Sequence, residues 1–413
     1  MQFRKQSLSP LNHKEFRLFL FTRVFYTMAL RMVVTVIGYE LFQITRDSFS
    51  IGLAGLSEFI PVFALALYAG HVIDRSDKRS LFLKSILSYS LCIAALIVIT
   101  TPSVQQQLTA KTAALLFYVV IFFTGIIRAF AGPTSNAIIA QLVPRDVLRF
   151  AASLSSTSYL SASIMGHAMG GFLIAGIGVN KTFYVILFLV LAAAAIVSRI
   201  ERKPVVHNNL SARTWDSVKE GLSFVFKSKI LLAAISLDLF AVLFGGATAL
   251  IPEFADRILQ VGPVGFGWLN AAMDIGSAIT IVTITLFPLM RKQGYKLMFA
   301  VGCFGLFILV FGLSEIYLLS FAALLLAGMV DGVSVVVRST VLQLTTPDEM
   351  RGRVSAVNSM FINSSNELGQ FESGFTYRLF GGAVPAVVFG GCMTMVVAII
   401  TWIKAPALRK FEY

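Results

Sequence analysis

SYLSASIMGHAMGGFLIAGIG, residues 158–178, carries no Asp, Glu, Lys or Arg across 21 positions. At about 1.5 Å per residue, a helix of that length crosses the roughly 30 Å hydrocarbon core of a bilayer. Runs of this kind recur along all 413 residues, of which 57% are hydrophobic and only 13% charged. A soluble domain carries about 25% charged residues, so roughly half the usual supply is missing. Hydrocarbon offers no water to satisfy a peptide group, and spanning elements are therefore helices or closed barrels. Here the runs are continuous in Leu, Ile, Val and Phe rather than alternating, which excludes a barrel. The chain reads as an all-α polytopic membrane protein.

Working outward from that run, twelve spans are predicted, near 16–43, 50–72, 81–101, 112–138, 149–178, 182–201, 229–257, 264–290, 295–314, 316–341, 354–377 and 382–404. With the N-terminus placed in the cytoplasm, cytoplasmic loops and span ends hold 25 of the 34 Lys and Arg residues. The outside loops hold five, Arg46, Lys111, Lys181, Arg257 and Arg378, and Arg23, Arg31, Arg128 and Arg338 lie within spans. This asymmetry follows the positive-inside rule and puts both termini in the cytoplasm. The net charge of +13 is thus a topology signal, and nucleic acid is not an expected partner. The first span is too long for a cleaved signal peptide and is expected to remain as an anchor. A multi-pass protein of a cell membrane follows, a bacterial inner membrane being the expected one. Cys92, Cys303 and Cys392 sit in apolar runs without metal-ligand spacing and read as packing residues. No metal and no cofactor is expected.

The longest hydrophilic stretch divides the chain into a six-helix half over 1–201, a linker over 202–228 and a second six-helix half over 229–413. In the linker, Trp215, Val218, Leu222 and Val225 recur at helical spacing, which predicts a short amphipathic helix at the membrane surface. A solvated, partly helical linker is the alternative. The halves resemble each other: under a shift of 203 residues Gly125 meets Gly328, Pro144 meets Pro347, Gly166 meets Gly369, Gly171 meets Gly374 and Phe172 meets Phe375. QLVPRD (141–146) parallels QLTTPDE (343–349) with one extra residue. Six is even, so both copies enter the membrane in the same direction. Parallel repeats belong to transporters whose halves rock about a midplane site.

Four motifs extend this reading. GHVIDRSDKR (70–79), between spans 2 and 3, resembles the G-x-x-x-D-R-x-G-R-R signature of the major facilitator superfamily at that loop, with Asp77 in place of the second glycine. Gly70, Asp74, Arg75, Lys78 and Arg79 fall on the signature, and the resemblance implies ion pairs that open and close with a gate. A basic loop that only sets topology is the alternative. IIRAFAGP (126–133) resembles the family's intramembrane arginine motif, and PDEMRGRVSAVNS (347–359), with Arg351 and Arg353, its second-half loop signature. EGLSFV (220–225), LIPEFA (250–255), GFGWLNAA (265–272) and SNELG (365–369) are similar to the enterobactin-exporter and small-molecule efflux branch. The resemblance implies the major facilitator fold, twelve transmembrane helices in two parallel-repeat six-helix halves. Exporters of this family carry an antiporter motif ending G-P-x-x-G-G in span 5. Here the residues are Gly166, His167, Ala168, Met169, Gly170 and Gly171, with His167 replacing the proline and Ser153 and Ala162 replacing upstream glycines. Glycines on one face let a neighbouring backbone approach closely, while losing the proline removes a kink.

Ionisable groups inside spans mark function by default, because burial costs at least about 2.5–3.5 kcal/mol on insertion scales. By position, Arg31, Arg128, Asp274 and Asp331 fall nearest the midplane, Asp238 lies toward the cytoplasm, and Glu40 and Glu58 toward the outside. Arg338, near a span end, reads as snorkelling. Span 1 carries a polar row at Arg23, Thr27, Arg31, Thr35 and Tyr39 that can line a cavity. Span 11, with Asn358, Asn363, Ser364, Ser365, Asn366, Glu367, Gln370 and Glu372, is too polar to face lipid. Hydrogen bonding between helices is the alternative for both rows. Arg128 and Asp331 are equivalent under the repeat and are expected to face a central cavity, a static structural pair being the alternative. Asp331, Asp274, Asp238 and Glu58 are the proton candidates, and Arg31 and Arg128 would attract an anion or tune those carboxylates. His167 either titrates near neutral pH or is a buried, hydrogen-bonded imidazole.

The function expected is secondary active export of a small organic molecule, siderophore- or drug-like, by proton antiport. Its partners are the substrate, protons and lipid, and a monomer is expected. Uptake or facilitated exchange of a metabolite is the second transport reading. No H-E-x-x-H, Walker pattern, G-x-S-x-G or paired cysteines occur, which argues against an enzyme. A receptor would need a soluble extension to signal through, and only short tails are present.

Overall fold

In the computed structural model, residues 8–203, 214–287, 289, 291–347 and 350–412 are described. Eleven helices are long and apolar enough to cross a membrane: Lys14–Thr45, Phe49–Ala66, Lys78–Ile99, Ala110–Leu142, Leu148–Ile177, Val179–Val197, Lys229–Ile258, Gly262–Leu286, Gln293–Leu313, Tyr317–Thr345 and Ala383–Lys404. Spans 1–10 and 12 correspond to these. Span 11 is the helix Arg351–Phe380, long enough but too polar to qualify on composition. Among the described residues every regular element is helical. Leu91, Phe188, Phe299 and Leu318 are 69–73% exposed, as apolar side chains facing lipid would be.

By contacts the chain forms two compact units, residues 1–45 with 60–209, and residues 46–59 with 210–413. In the first, span 1 packs on spans 4, 5 and 6, and span 3 packs on spans 4 and 6. In the second, span 7 packs on spans 11 and 12, and span 9 packs on spans 10 and 12. The pairings of 1 with 5 and 6 and of 3 with 4 and 6 therefore recur, six spans later, as 7 with 11 and 12 and 9 with 10 and 12. This is the parallel repeat expressed as packing. Within the former linker a helix forms over Thr214–Lys227. Val225 is buried in the core of the second unit and Leu222 packs against that core, while the side chains of Trp215 and Val218 lie outside those described.

Span 7 is not the continuous helix its sequence suggests. It stops at Gly245, turns through a 3-10 segment at Ala247–Leu250, and ends in a π-helical turn over Phe254–Ile258. Two glycines and Pro252 weaken the helix there. The carbonyl of Gly246 is not orphaned, because Ser373 Oγ of span 11 donates to it at 2.9 Å. An interrupted helix is tolerated in a membrane where neighbouring side chains re-satisfy the backbone.

Candidate functional site

In the first unit the polar row of span 1 meets span 5. Arg31 Nη2 donates to the Tyr159 hydroxyl at 2.6 Å. Arg23 Nη1 donates to Ser135 Oγ and Asn136 Oδ1, each at 3.2 Å. Both guanidiniums lie over the Tyr159 ring, their Cζ atoms 5.5 Å and 5.6 Å from its centroid. One aromatic face thus serves two cations, each attracted by the ring quadrupole. Arg128 of span 4 places its charge near Tyr26, whose hydroxyl is buried without a hydrogen-bond partner.

Close approach of the two helices makes this possible. A Cβ added at Gly166 would sit 2.6 Å from the Met28 carbonyl oxygen and 2.7 Å from Arg31 Cβ, and one at Gly170 would sit 3.2 Å from Thr35 Cβ. Tyr159 precedes Gly166 by two helical turns, so both occupy the face toward span 1. His167 is buried, with Nδ1 2.8 Å from Thr35 Oγ1. Thr35 Oγ1 also lies 3.1 Å from the Arg31 carbonyl oxygen. The imidazole and the Arg31 carbonyl thus meet at one hydroxyl, which ties His167 of span 5 to span 1. Gly166→Val is expected to force spans 1 and 5 apart, at a cost of about 1–3 kcal/mol, and to lower the midpoint of thermal unfolding in detergent.

In the second unit three aspartates gather around one arginine. Asp238 of span 7 pairs with Arg338 of span 10, both side chains being 10% exposed or less. The snorkelling reading of Arg338 is therefore corrected: a desolvated carboxylate within reach is a better partner than a distant interface. Asp331 lies two turns before Arg338 on the same face. It shares a small cavity with Asp238, Ala241, Val301, Phe304 and Ser334, with room for about one water molecule. Ser334 Oγ of that lining is buried without a hydrogen-bond partner, as is Arg338 Nε two turns from Asp331. Asp331 also feels the charges of Asp238, Arg338 and, from span 8, Asp274.

The crossing of spans 8 and 10 is what brings Asp274 in. A Cβ at Gly276 would lie 2.0 Å from the Leu325 carbonyl oxygen, and one at Gly328 would lie 2.1 Å from that of Met273. Ser277 Oγ donates to the Gly328 carbonyl at 2.9 Å. Backbone rests on backbone, two residues past Asp274 and three before Asp331.

Other acidic candidates take different places. Glu367 is buried in span 11, and its carbonyl oxygen is 3.1 Å from a Cβ built at Gly55 of span 2. Glu58 is half-buried on span 2. Glu372 has one carboxylate oxygen buried without a hydrogen-bond partner. The segment after span 1 is tied into the second unit by polar contacts. Arg46 pairs with Asp256 at 2.8 Å, Asp47 with Arg378 at 2.7 Å, and Ser48 donates to Glu253 at 2.7 Å. Arg257 bonds both Glu253 and the Arg46 carbonyl. Three of the five loop cations that set the charge asymmetry are thus committed to one network.

The loop signatures are structural at close range. Arg75 ends the span 2 helix and Lys78 begins that of span 3. Asp77 caps span 3, accepting from the amides of Arg79 and Ser80, which satisfies donors a helix start leaves open. Arg79 donates from Nε to the Ile200 carbonyl at 3.0 Å and from Nη2 to that of Ser198, closing the end of span 6. Gly70 has open space around its Cβ position. Arg353 pairs with Glu220 of the helix Thr214–Lys227. The side chains of Asp74 and Arg351 lie outside those described.

Sequence reading missed Tyr159, Ser334 and the Arg338 pairing. Tyr159 offered a signal, an aromatic hydroxyl two turns from the glycine motif on the same helix face. Ser334, between Asp331 and Arg338 at helical spacing, offered a weaker one.

The uncharacterized MFS-type transporter YfiS of Bacillus subtilis (strain 168) is 24% identical over 396 residues, covering 92% of this chain and 90% of its own. The enterobactin exporter EntS of Shigella boydii serotype 18 is 23% identical over 359 residues, covering 84% of this chain and 81% of its own. Among solved structures, a D-xylose-proton symporter superposes with a TM-score of 0.74 at 13% identity, over 97% of this chain and 100% of the other. The nucleoside transporter NupG superposes with a TM-score of 0.73 at 13% identity, over the same shares. At such identities the superpositions speak for the fold alone. The family model of the Major Facilitator Superfamily matches residues 19–370. With the repeat, the helix pairings and the intramembrane charges, this settles the family: the chain belongs to the Major Facilitator Superfamily of membrane transporters.

Proposed function

We propose that this transporter exports a small organic molecule, siderophore- or drug-like, by alternating access coupled to proton antiport. The halves, 1–201 and 229–413, move as the two alternating bodies, joined by the linker 202–228. Both termini lie in the cytoplasm of a bacterial cell and the protein works as a monomer in its inner membrane. The relatives named as enterobactin exporters and the span 5 glycines support the outward direction.

The observation that carries proton coupling is the Asp331 cavity. Two carboxyl groups, those of Asp238 and Asp331, line a cavity with room for about one water, and Asp331 also feels the charges of Arg338 and Asp274, so charge balance there is sensitive to a single proton. Arg338 is paired with Asp238 and sits two turns from Asp331. Exchange of the guanidinium between the two carboxylates is the step that a proton on one of them would permit.

The test is flux in proteoliposomes with siderophore and drug probes, under an acid-outside gradient. Wild-type protein is expected to move substrate outward, toward the acid side, as protons move in, and Asp331→Asn to lose gradient-driven flux while retaining substrate exchange. Gradient-driven flux undiminished in Asp331→Asn defeats the coupling role. One observation favours the second reading, uptake or exchange of a metabolite: His167 occupies the position where the antiporter motif has proline. Inward accumulation under the same gradient would establish it.

A further inference from the structure

Charge is distributed unevenly among membrane-spanning residues. Away from the span ends, the first unit holds Arg23, Arg31, Arg128 and His167 with the carboxylate Glu40, to which Gln105 donates a hydrogen bond. The second holds Glu58, Asp238, Asp274, Asp331, Glu367 and Glu372 with Arg338, while Glu253, Asp256 and Arg257 lie at the end of span 7. The cations of the first unit are also gathered. Arg23 and Arg31 lie over one tyrosine ring. Arg23 contacts a serine hydroxyl, an amide oxygen and the tyrosine ring, all neutral, and its Nε is buried without a hydrogen-bond partner.

A guanidinium in hydrocarbon is costly unless something pays for it. The acceptors at 3.2 Å carry no counter-charge, and a guanidinium bonded to an anionic oxygen typically sits closer, at about 2.7–2.9 Å. A planar, forked cation is also the side chain best matched to a carboxylate or similar oxyanion. The Tyr159 ring adds a flat surface between two such forks.

We propose that Arg23, Arg31 and Tyr159 form an anion subsite, so that the substrate is an organic acid whose anionic group is held by the first unit. Arg31 exchanges its bond to the Tyr159 hydroxyl for a charged oxygen of the ligand, and Arg23 supplies the second positive charge. Tyr159 keeps the arginines apart and aligned in the empty state. The proposal rests on the transport reading for its biological meaning, but the binding step stands by itself.

Thermal unfolding of the full-length protein in detergent tests it, at constant ionic strength, with benzoate, neutral benzamide and cationic benzylamine as probes. Benzoate is expected to stabilise wild-type protein by mass action, and the other two to leave it unchanged. Arg31→Gln should weaken the benzoate titration by about tenfold or more, through loss of one charge-assisted contact. Arg31→Lys should weaken it less, since it keeps the charge and loses the fork. Tyr159→Phe keeps the ring, removes the hydroxyl that competes for Arg31, and should bind benzoate at least as tightly. Arg46→Gln, remote from the subsite, should titrate as wild type. Absence of any benzoate effect overturns the proposal. Equal stabilisation by benzamide or benzylamine, an unaltered titration in both Arg31 variants, or weaker binding in folded Tyr159→Phe overturns it too. A protein that binds benzoate in this arginine-dependent way yet moves no substrate defeats the transport reading and leaves the subsite standing.

Discussion

Arg338→Ala is expected to destabilise the protein by about 3–5 kcal/mol, the cost of leaving one member of a buried ion pair without the other. Asp238 is 4% exposed and lines a small cavity together with a second carboxyl group, that of Asp331. Removing the guanidinium takes away the cation paired with Asp238, while the cavity lining itself holds only the two carboxyl groups as charged side chains. The double variant Asp238→Asn with Arg338→Gln should recover most of the loss, because two neutral amide groups can bond each other where a lone carboxylate cannot be satisfied. Unfolding midpoints of Asp238→Asn, Arg338→Gln and the double variant form a cycle that reads the coupling directly. A single variant as stable as the parent would show that the pair carries no structural weight.

The second large effect is at the crossing of spans 8 and 10. Gly328→Val places three carbons where the Met273 carbonyl oxygen already lies 2.1 Å from an added Cβ. The obstacle is backbone, which has no rotamer to change, so the helices must separate. Overpacking usually costs about 1–3 kcal/mol, and this contact belongs at or above the top of that range. The expected result is loss of monodisperse protein on size exclusion, or a sharply lowered unfolding midpoint. Gly302→Val, where an added Cβ meets nothing within 4 Å, should behave as the parent. Separation would also carry Asp274 away from Asp331, so any surviving protein should couple poorly to a proton gradient.

Why these effects were only partly readable in the sequence is a matter of range. Span positions, the repeat and the polar character of span 11 are local in composition, and hydropathy along the chain carries them. The small-residue spacing of Gly166 and Gly170 is likewise visible as text, but Met28 and Arg31, the atoms they approach, lie on another span. Arg338 illustrates the loss most clearly. Its place near a span end suggests reach toward the interface, whereas its partner Asp238 lies a hundred residues earlier. The break in span 7 has the same origin. Gly245, Gly246 and Pro252 are recognisable breakers, yet apolar composition favours one helix until Ser373 is known to hold the freed carbonyl. Asp77 shows the opposite case, a departure from the family signature that local rules explain, since an aspartate before a helix is a cap.

Span 11 has a consequence for biogenesis. A segment with Glu367, Glu372 and a row of amides and hydroxyls does not partition into lipid alone, because each buried charge costs about 2.5–3.5 kcal/mol at insertion. Its partners must already be in place when it leaves the ribosome. Chain order provides for this: the Gly246 carbonyl that receives Ser373, and the backbone of Val242 and Leu243 against which Gly369 rests, are synthesised more than a hundred residues earlier. Span 11 therefore enters the bilayer as a guest of helices translated before it, and the unit it joins is completed by assembly rather than by hydrophobicity.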